Sequence, residues 1–284
     1  MAHFALITDS TCDLPPALTS ERQIYIIPQV IVWGREILKD GESITSRQFY
    51  ERLATAKEMP TTSRPAPADV AALFERAREE TGADELVVLT VSEEVSGTYP
   101  SAQQALKMVD FPVHVLDTRT ISLALGMTVL KVADARDAGA SPEEAIALAR
   151  ESAARTHALF SVGTLEFLYR GGRIGGARHL IGTALSIKPL LHIKDGRVEA
   201  LESVRTRKRA LKRLMDLADE RIDGSRPLWI GIVHGNAAEE AAALHEEALS
   251  RWKPDLLVEG WVSPSIGVHA GPGVIGLMIM QQPA

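Results

Sequence analysis

The chain has 284 residues, of which 45% are hydrophobic and 24% charged, and it carries a net charge of -6. That length buries enough core for two domains, and the acidic balance excludes a general nucleic-acid binder, which presents a basic excess. Cys12 is the single cysteine, which excludes an intrachain disulfide and a cysteine-based zinc cluster and fits a reducing cytoplasm. Met1-Ala2-His3-Phe4 leads straight into a strand-like run, and no later run approaches membrane-spanning length, so the expectation is a soluble cytoplasmic protein without an integral membrane segment.

In chain order, Phe4 to Thr8 reads as a buried strand ending in Asp9-Ser10-Thr11. Loops at the carboxyl ends of strands are where open α/β sheets place ligands, so Asp9 and Ser10 are either site residues or the makers of a local turn or cap. Ile24 to Trp33, with turn signals at Gly34-Arg35 and Asp40-Gly41, predicts a small β excursion over about residues 24–45. Arg47 to Ala54 reads as a helix. Pro60-Thr61-Thr62-Ser63-Arg64-Pro65 is a proline-pinned loop before a helix from Ala68 to Glu80. Its hydroxyls at Thr62 and Ser63 are either held for a ligand or spent as a helix cap.

Glu85 to Ala105 is the stretch with the sharpest pattern. The apolar run Leu86 to Val91 fits a parallel strand covered on both faces, and Ser96-Gly97-Thr98 then opens a helix. A strand, loop and helix in that order can receive an anion on free backbone donors, so Ser96 is either a head-group contact or an N-cap. Val113 to Leu116 is a further strand, and Ser122 to Ala138 a helix. Ser141-Pro142-Glu143-Glu144 starts another helix with a serine cap and a proline at its first position.

The second half opens with a strand at Ala158 to Val162 and a glycine-dense stretch, Gly171-Gly172-Arg173-Ile174-Gly175-Gly176. Arg173 offers a fork of donors to an oxyanion, but the stretch lacks the lysine and hydroxyl ending of a phosphate-binding loop. Ile187 to Lys194 and Val198 to Val204 flank Asp195-Gly196 as a tight hairpin. The helix from Arg205 to Ile222 begins in a run of cations, Arg205 to Arg213, which opposes the helix dipole. It is a solvated face, a docking patch or, through that patch, a nucleic-acid contact. Strands follow at Leu228 to Val233, Leu256 to Val262 and Gly276 to Met280, with an alanine-rich helix from Ala237 to Leu249. His269 lies between the last two strands among small residues that predict an accessible ring. No metal-ligand spacing stands out among the eight histidines.

Thr8-Asp9-Ser10, Thr62-Ser63, Ser96-Gly97-Thr98, Gly171-Gly172-Arg173-Ile174, Lys188-Pro189, Arg205-Thr206 and Gly267-Val268-His269-Ala270-Gly271-Pro272-Gly273 together resemble the DegV family over nearly the whole chain. The fold class expected is α/β in two domains. Residues 1–155 would hold a mainly parallel sheet with helices on both faces. Residues 156–284 would form a C-terminal α/β domain with a mixed sheet and most of an acyl-chain pocket. The resemblance implies a non-enzymatic, lipid-binding protein without a cofactor, whose ligand is a long-chain fatty acid such as palmitate or oleate. Its carboxylate would sit at the domain junction and be presented to a separate fatty acid kinase that makes acyl phosphate for phospholipid synthesis.

Carried over to this chain, the resemblance assigns Thr62 and Ser96 to the carboxylate, with Ser63 beside them and Arg173 and His269 in the surrounding network. It places Arg205 on the surface offered to the kinase. Arg64, Glu93-Glu94, Pro100 and Gly176 depart from the family pattern. Two other classes remain open: a hydrolase or transferase using Ser96 as nucleophile and His269 as base, and a regulator touching nucleic acid through Arg205 to Arg213.

Overall fold

The computed structural model describes residues 4–181 and 187–281. The N-terminal reading of Met1-Ala2-His3 falls outside the described residues. The first half contains β1 (Phe4–Asp9), β2 (Ile24–Ile27), β3 (Val30–Trp33), β4 (Glu36–Lys39), β5 (Thr61–Ser63), β6 (Glu85–Thr90) and β7 (Val113–Asp117). Four of these make an all-parallel sheet in the order β2-β1-β6-β7. Helices cover both faces, which is why β1 and β6 read as unbroken apolar runs. Ala5, Ile7, Leu86 and Val88 pack on Val70, Phe74 and Ala102 of the helices Pro67–Thr81 and Thr98–Ala105. Leu6, Val87 and Leu89 point the other way, onto the helices Leu123–Asp137 and Pro142–Ala154.

The segment 24–45 is not one excursion. β2 is the edge strand of the main sheet, in register from Leu6 opposite Ile24 to Asp9 opposite Ile27. Pro28, which has no N–H to donate, follows at once. Beyond it β3, β4 and β5 form a separate antiparallel sheet in the order β4-β3-β5. Thr61 to Ser63, read from sequence as loop, is therefore a strand, and Thr62 lies opposite Ile31.

The second half contributes β8 (Thr156–Ser161), β9 (Lys188–Lys194), β10 (Arg197–Val204), β11 (Leu228–His234), β12 (Leu256–Trp261) and β13 (Ile275–Gln281). They form one mixed sheet in the order β10-β9-β8-β13-β11-β12, with β11 and β12 parallel and the other neighbours antiparallel. Asp195 (φ 50) and Gly196 (φ 81) make the hairpin turn, both in the left-handed region that a two-residue turn of this hand requires. Period-two alternation divides the sheet. Leu159, Ile232, Leu277 and Ile279 sit under the helices Arg207–Asp219 and Ala238–Trp252, while Ala158, Val233 and Met278 face the first half.

The helix Leu123–Asp137 is buried from Leu123 through Leu130 and so belongs inside the molecule rather than on it. Its residues share a single core with β6 and β13, joining the two halves. Residues 263–273, read as a small-residue connection, contain instead a seven-residue helix, Pro264–Ala270, with its proline in the first turn. Among the described residues no helix is long and apolar enough to cross a membrane.

Candidate functional site

A cavity of about 410 Å³ opens where the two halves meet, inside the range of about 300–1,000 Å³ usual for small-ligand pockets. The inward face of the six-stranded sheet supplies its apolar wall through Ala158, Phe160, Ile193, Val198, Val233 and Met278. Its polar lining comes largely from elsewhere: Gln29, Thr62 and Ser63 from the small sheet and its approach, Ser96 from the loop after β6, Arg173 from the glycine-rich stretch, and Ser265 and His269 from the short helix. All five ligand-site residues expected from sequence thus line one cavity, although Thr62 and His269 are 207 residues apart.

Thr62 and His269 touch, with Oγ1 to Nε2 at 2.8 Å. The histidine is half-buried: its ring lines the cavity and is packed on its other side against Gly171. A Cβ on Gly171 would stand 2.1 Å from Nδ1, so the ring occupies the space that only glycine leaves open. Nδ1 itself is buried and without a hydrogen-bond partner among the described residues. Burial, and then the positive charge of Arg173, push the imidazole down to about 4, so it is neutral near pH 7.

Arg173 is fixed by carbonyls from both halves: Nε donates to Val95 O at 3.0 Å and Nη1 to Gly171 O at 2.7 Å. Burial lowers its pKa as well, yet a guanidinium stays charged at any physiological pH. A fixed cation beside neutral hydroxyls and a neutral imidazole is a set suited to one carboxylate.

The two capping readings fare differently. Gly97, not Ser96, is the N-cap of Thr98–Ala105, and it makes no side-chain cap bond. Ser96 Oγ nevertheless accepts from Thr98 N, the first amide of that helix, at 3.3 Å and meets Thr98 Oγ1 at 2.8 Å, and Thr98 Oγ1 accepts from Gln29 Nε2 at 2.5 Å. The helix Pro67–Thr81 has Ala66 at its N-cap, so neither Thr62 nor Ser63 is used there. The hydrolase pairing has no geometric counterpart, since the His269 Nε2 contact is with Thr62 and the Ser96 hydroxyl contact is with Thr98.

Asp9 and Ser10 serve the framework. Asp9 is fully buried and accepts from Val91 N at 2.7 Å and Thr11 N at 3.1 Å, fastening the end of β1 to the end of β6. Ser10 donates to Asp40 Oδ2 at 3.0 Å. Much of the basic run is neutralised across the structure: Arg207 pairs with Glu240, Arg213 with Glu202 at 2.9 Å and Glu220 at 2.7 Å, and Lys212 with Asp216 at 2.8 Å. Thr206 caps the helix through Arg209 N. Arg205, Lys208 and Arg209 are exposed and lie outside the cavity lining.

Among the departures, Arg64 lies at the cavity against Gly97, whose missing Cβ would be 3.0 Å from Arg64 Cβ. Glu94 pairs with Arg197 at 2.6 Å across the halves. The Glu199 carboxylate overlies Gly176, where a Cβ would stand 1.7 Å from Oε2. Pro100 stands in the first turn of Thr98–Ala105, where its missing N–H costs nothing.

Gln29 and Ser265 are cavity residues that sequence reasoning missed, because no local motif marks them. Glu85, His114 and Glu143 bring possible metal-ligand atoms within 4.8 Å of one another at the far end of β6, from three separate segments whose spacing conceals them. The imidazole there is already engaged by Glu85 at 2.6 Å.

A family model described as an uncharacterised protein of the DegV family matches residues 3–282. A DegV domain-containing protein of Streptomyces coelicolor is 40% identical over 279 residues, covering 98% of each chain. A solved fatty-acid-binding DegV family protein from Thermus thermophilus superposes with a TM-score of 0.92 at 33% identity, over 99% of this chain and 100% of its own. DegV from Bacillus subtilis, described as a fatty acid binding protein, superposes with a TM-score of 0.90 at 32% identity, over 99% and 100%.

Proposed function

The chain belongs to the DegV family, and from that premise we propose that its cavity holds a long-chain fatty acid such as palmitate or oleate, whose carboxylate is offered to a separate kinase for acyl phosphate formation in the cytoplasm. The observation that carries this reading is the division of one cavity between an apolar sheet face and a set of polar groups, Thr62, Ser63, Ser96, Arg173 and His269. The fatty-acid-binding proteins that share the fold at 32–33% identity support the same ligand class.

The two parts of the cavity do different work. Burying one methylene contributes about 0.8 kcal/mol, so a tail of about fourteen supplies on the order of 11 kcal/mol before ordering costs. Each hydrogen bond to the charged head adds about 1.5–3 kcal/mol, less the desolvation of the carboxylate. The tail therefore sets affinity and the head sets register. Arg205, exposed and outside the cavity, is the residue we assign to kinase docking. In this role the protein binds and presents, and the kinase performs the chemistry.

Denaturing extraction of purified protein followed by mass spectrometry tests the ligand class: a co-purified long-chain acid is expected. Lipid-free protein that also refuses added palmitate and oleate overturns the reading.

A further inference from the structure

The short helix Pro264–Ala270 carries His269, yet its own cap residue does not hold it: Ser263 makes no side-chain cap bond, and its hydroxyl is buried without a partner among the described residues. The first amides of a helix must find acceptors elsewhere. Here they find two buried carboxylates of the other half. Asp13 Oδ1 accepts from Ser263 N at 2.9 Å, and Asp40 Oδ2 accepts from Ser265 N at 3.1 Å and from Ser265 Oγ at 2.6 Å. Asp40 is 3% exposed and does not line the cavity.

Asp40 is also tied to the opposite side of the head-group site. Its N–H donates to Gln29 O at 2.9 Å, immediately before β3, and β3 is the strand against which β5 holds Thr62. Ser10 Oγ completes its shell at 3.0 Å. His269 lies one helical turn beyond Ser265, on the same face. Asp40 therefore reaches both sides of the 2.8 Å contact between Thr62 and His269, its carboxylate through Ser265 directly and through Ser10, whose Oγ accepts from Gln29 N at 3.1 Å, and its backbone N–H through Gln29 O. Charge-assisted bonds of this kind, several converging on one buried oxygen, are short and directional.

We propose that Asp40 is the positioning residue of the head-group site: by docking the first turn of Pro264–Ala270 it sets where His269 stands relative to Thr62, without touching the ligand. This rests on the fatty-acid reading above for its functional consequence, but not for its geometry.

A double-mutant cycle on palmitate binding tests it, because coupling between residues that do not touch separates positioning from a general loss of stability. Asp40→Ala is expected to weaken binding at least tenfold, and Asp40→Ala with His269→Ala to bind no more weakly than His269→Ala alone. Effects that multiply, or a change under twofold in Asp40→Ala, overturn the proposal. Should Asp40→Ala fail to show a cooperative melt, Asp40→Asn, which keeps one acceptor for Ser265 but no charge, takes its place in the same cycle and is expected to be intermediate. A second arm needs no ligand. The His269 imidazole ¹⁵N resonances of lipid-free protein are expected to move in Asp40→Asn as they do in Thr62→Val, and unmoved resonances overturn the proposal. Wild-type protein that takes up no palmitate sinks the fatty-acid reading instead, and the imidazole arm still decides the role of Asp40.

Discussion

The Thr62 hydroxyl and the His269 imidazole meet at 2.8 Å across 207 residues of chain. The threonine stands on a three-residue strand of the first half and the histidine on a seven-residue helix of the second. This polar part of the cavity lining is thus a junction between the halves.

If the hydroxyls hold a carboxylate, Thr62→Val and Ser96→Ala each weaken palmitate binding by about 1–3 kcal/mol, roughly fivefold to 150-fold, with the tail wall untouched. Titration calorimetry with defatted protein measures the loss. Full affinity in the double variant would leave both hydroxyls with internal contacts only.

Gly171→Ala should reproduce the binding defect of His269→Ala. The added methyl meets a ring rather than a flexible chain end, at 2.1 Å from Nδ1, so the imidazole has to leave its place. Overpacking of this kind costs about 1–3 kcal/mol of stability. Thermal melts and palmitate affinity measured together check it, and a Gly171→Ala protein with wild-type affinity contradicts the packing of the ring on Gly171.

The imidazole of His269 should titrate near 4 rather than at its ordinary 6.5, because burial and the Arg173 charge both disfavour its protonated form. Between these values the unfolded chain binds a proton that the folded chain does not. Stability from this group is therefore present above 6.5 and lost as pH falls toward 4. Histidine resonances followed by NMR give the midpoint. Arg173→Met should raise it, and His269→Gln should remove this part of the acid dependence of Tm.

If the proposed docking holds, Arg205→Ala leaves fatty-acid affinity unchanged and slows acyl phosphate formation by a partner kinase, with a defect that depends on salt because Arg205 lies on an exposed face. On the same reading His269→Ala should slow turnover even where the two proteins still bind, as expected if the imidazole orients the acceptor oxygen. Kinase turnover beside a direct binding assay distinguishes them. Full turnover in Arg205→Ala removes the docking role.

Local chemistry was legible in the sequence because its causes lie within a few residues. Ser141 caps its helix and Pro142 opens it as read, with Glu144 completing a capping box. Asp195-Gly196 turns a hairpin, and the β-branched run at Leu86 to Val91 becomes a strand covered on both faces. The motif set also singled out five of the polar side chains that line the cavity, though not Gln29 or Ser265. The sequence did not contain their partners in any readable form. Thr62 and Ser63 became strand rather than cap because Val30 and Ile31 took their backbone groups. Residues 264–270 became a helix whose first amides are satisfied by Asp13 and Asp40, up to 250 residues away. Caps, turns and alternation are short-range effects that a reader of one chain can follow. The meeting of His269 with Thr62 and the place of Asp40 depend on which surfaces the two halves bury against each other, and the neutralisation of Arg207 and Arg213 on how the second half packs on itself; only packing decides these.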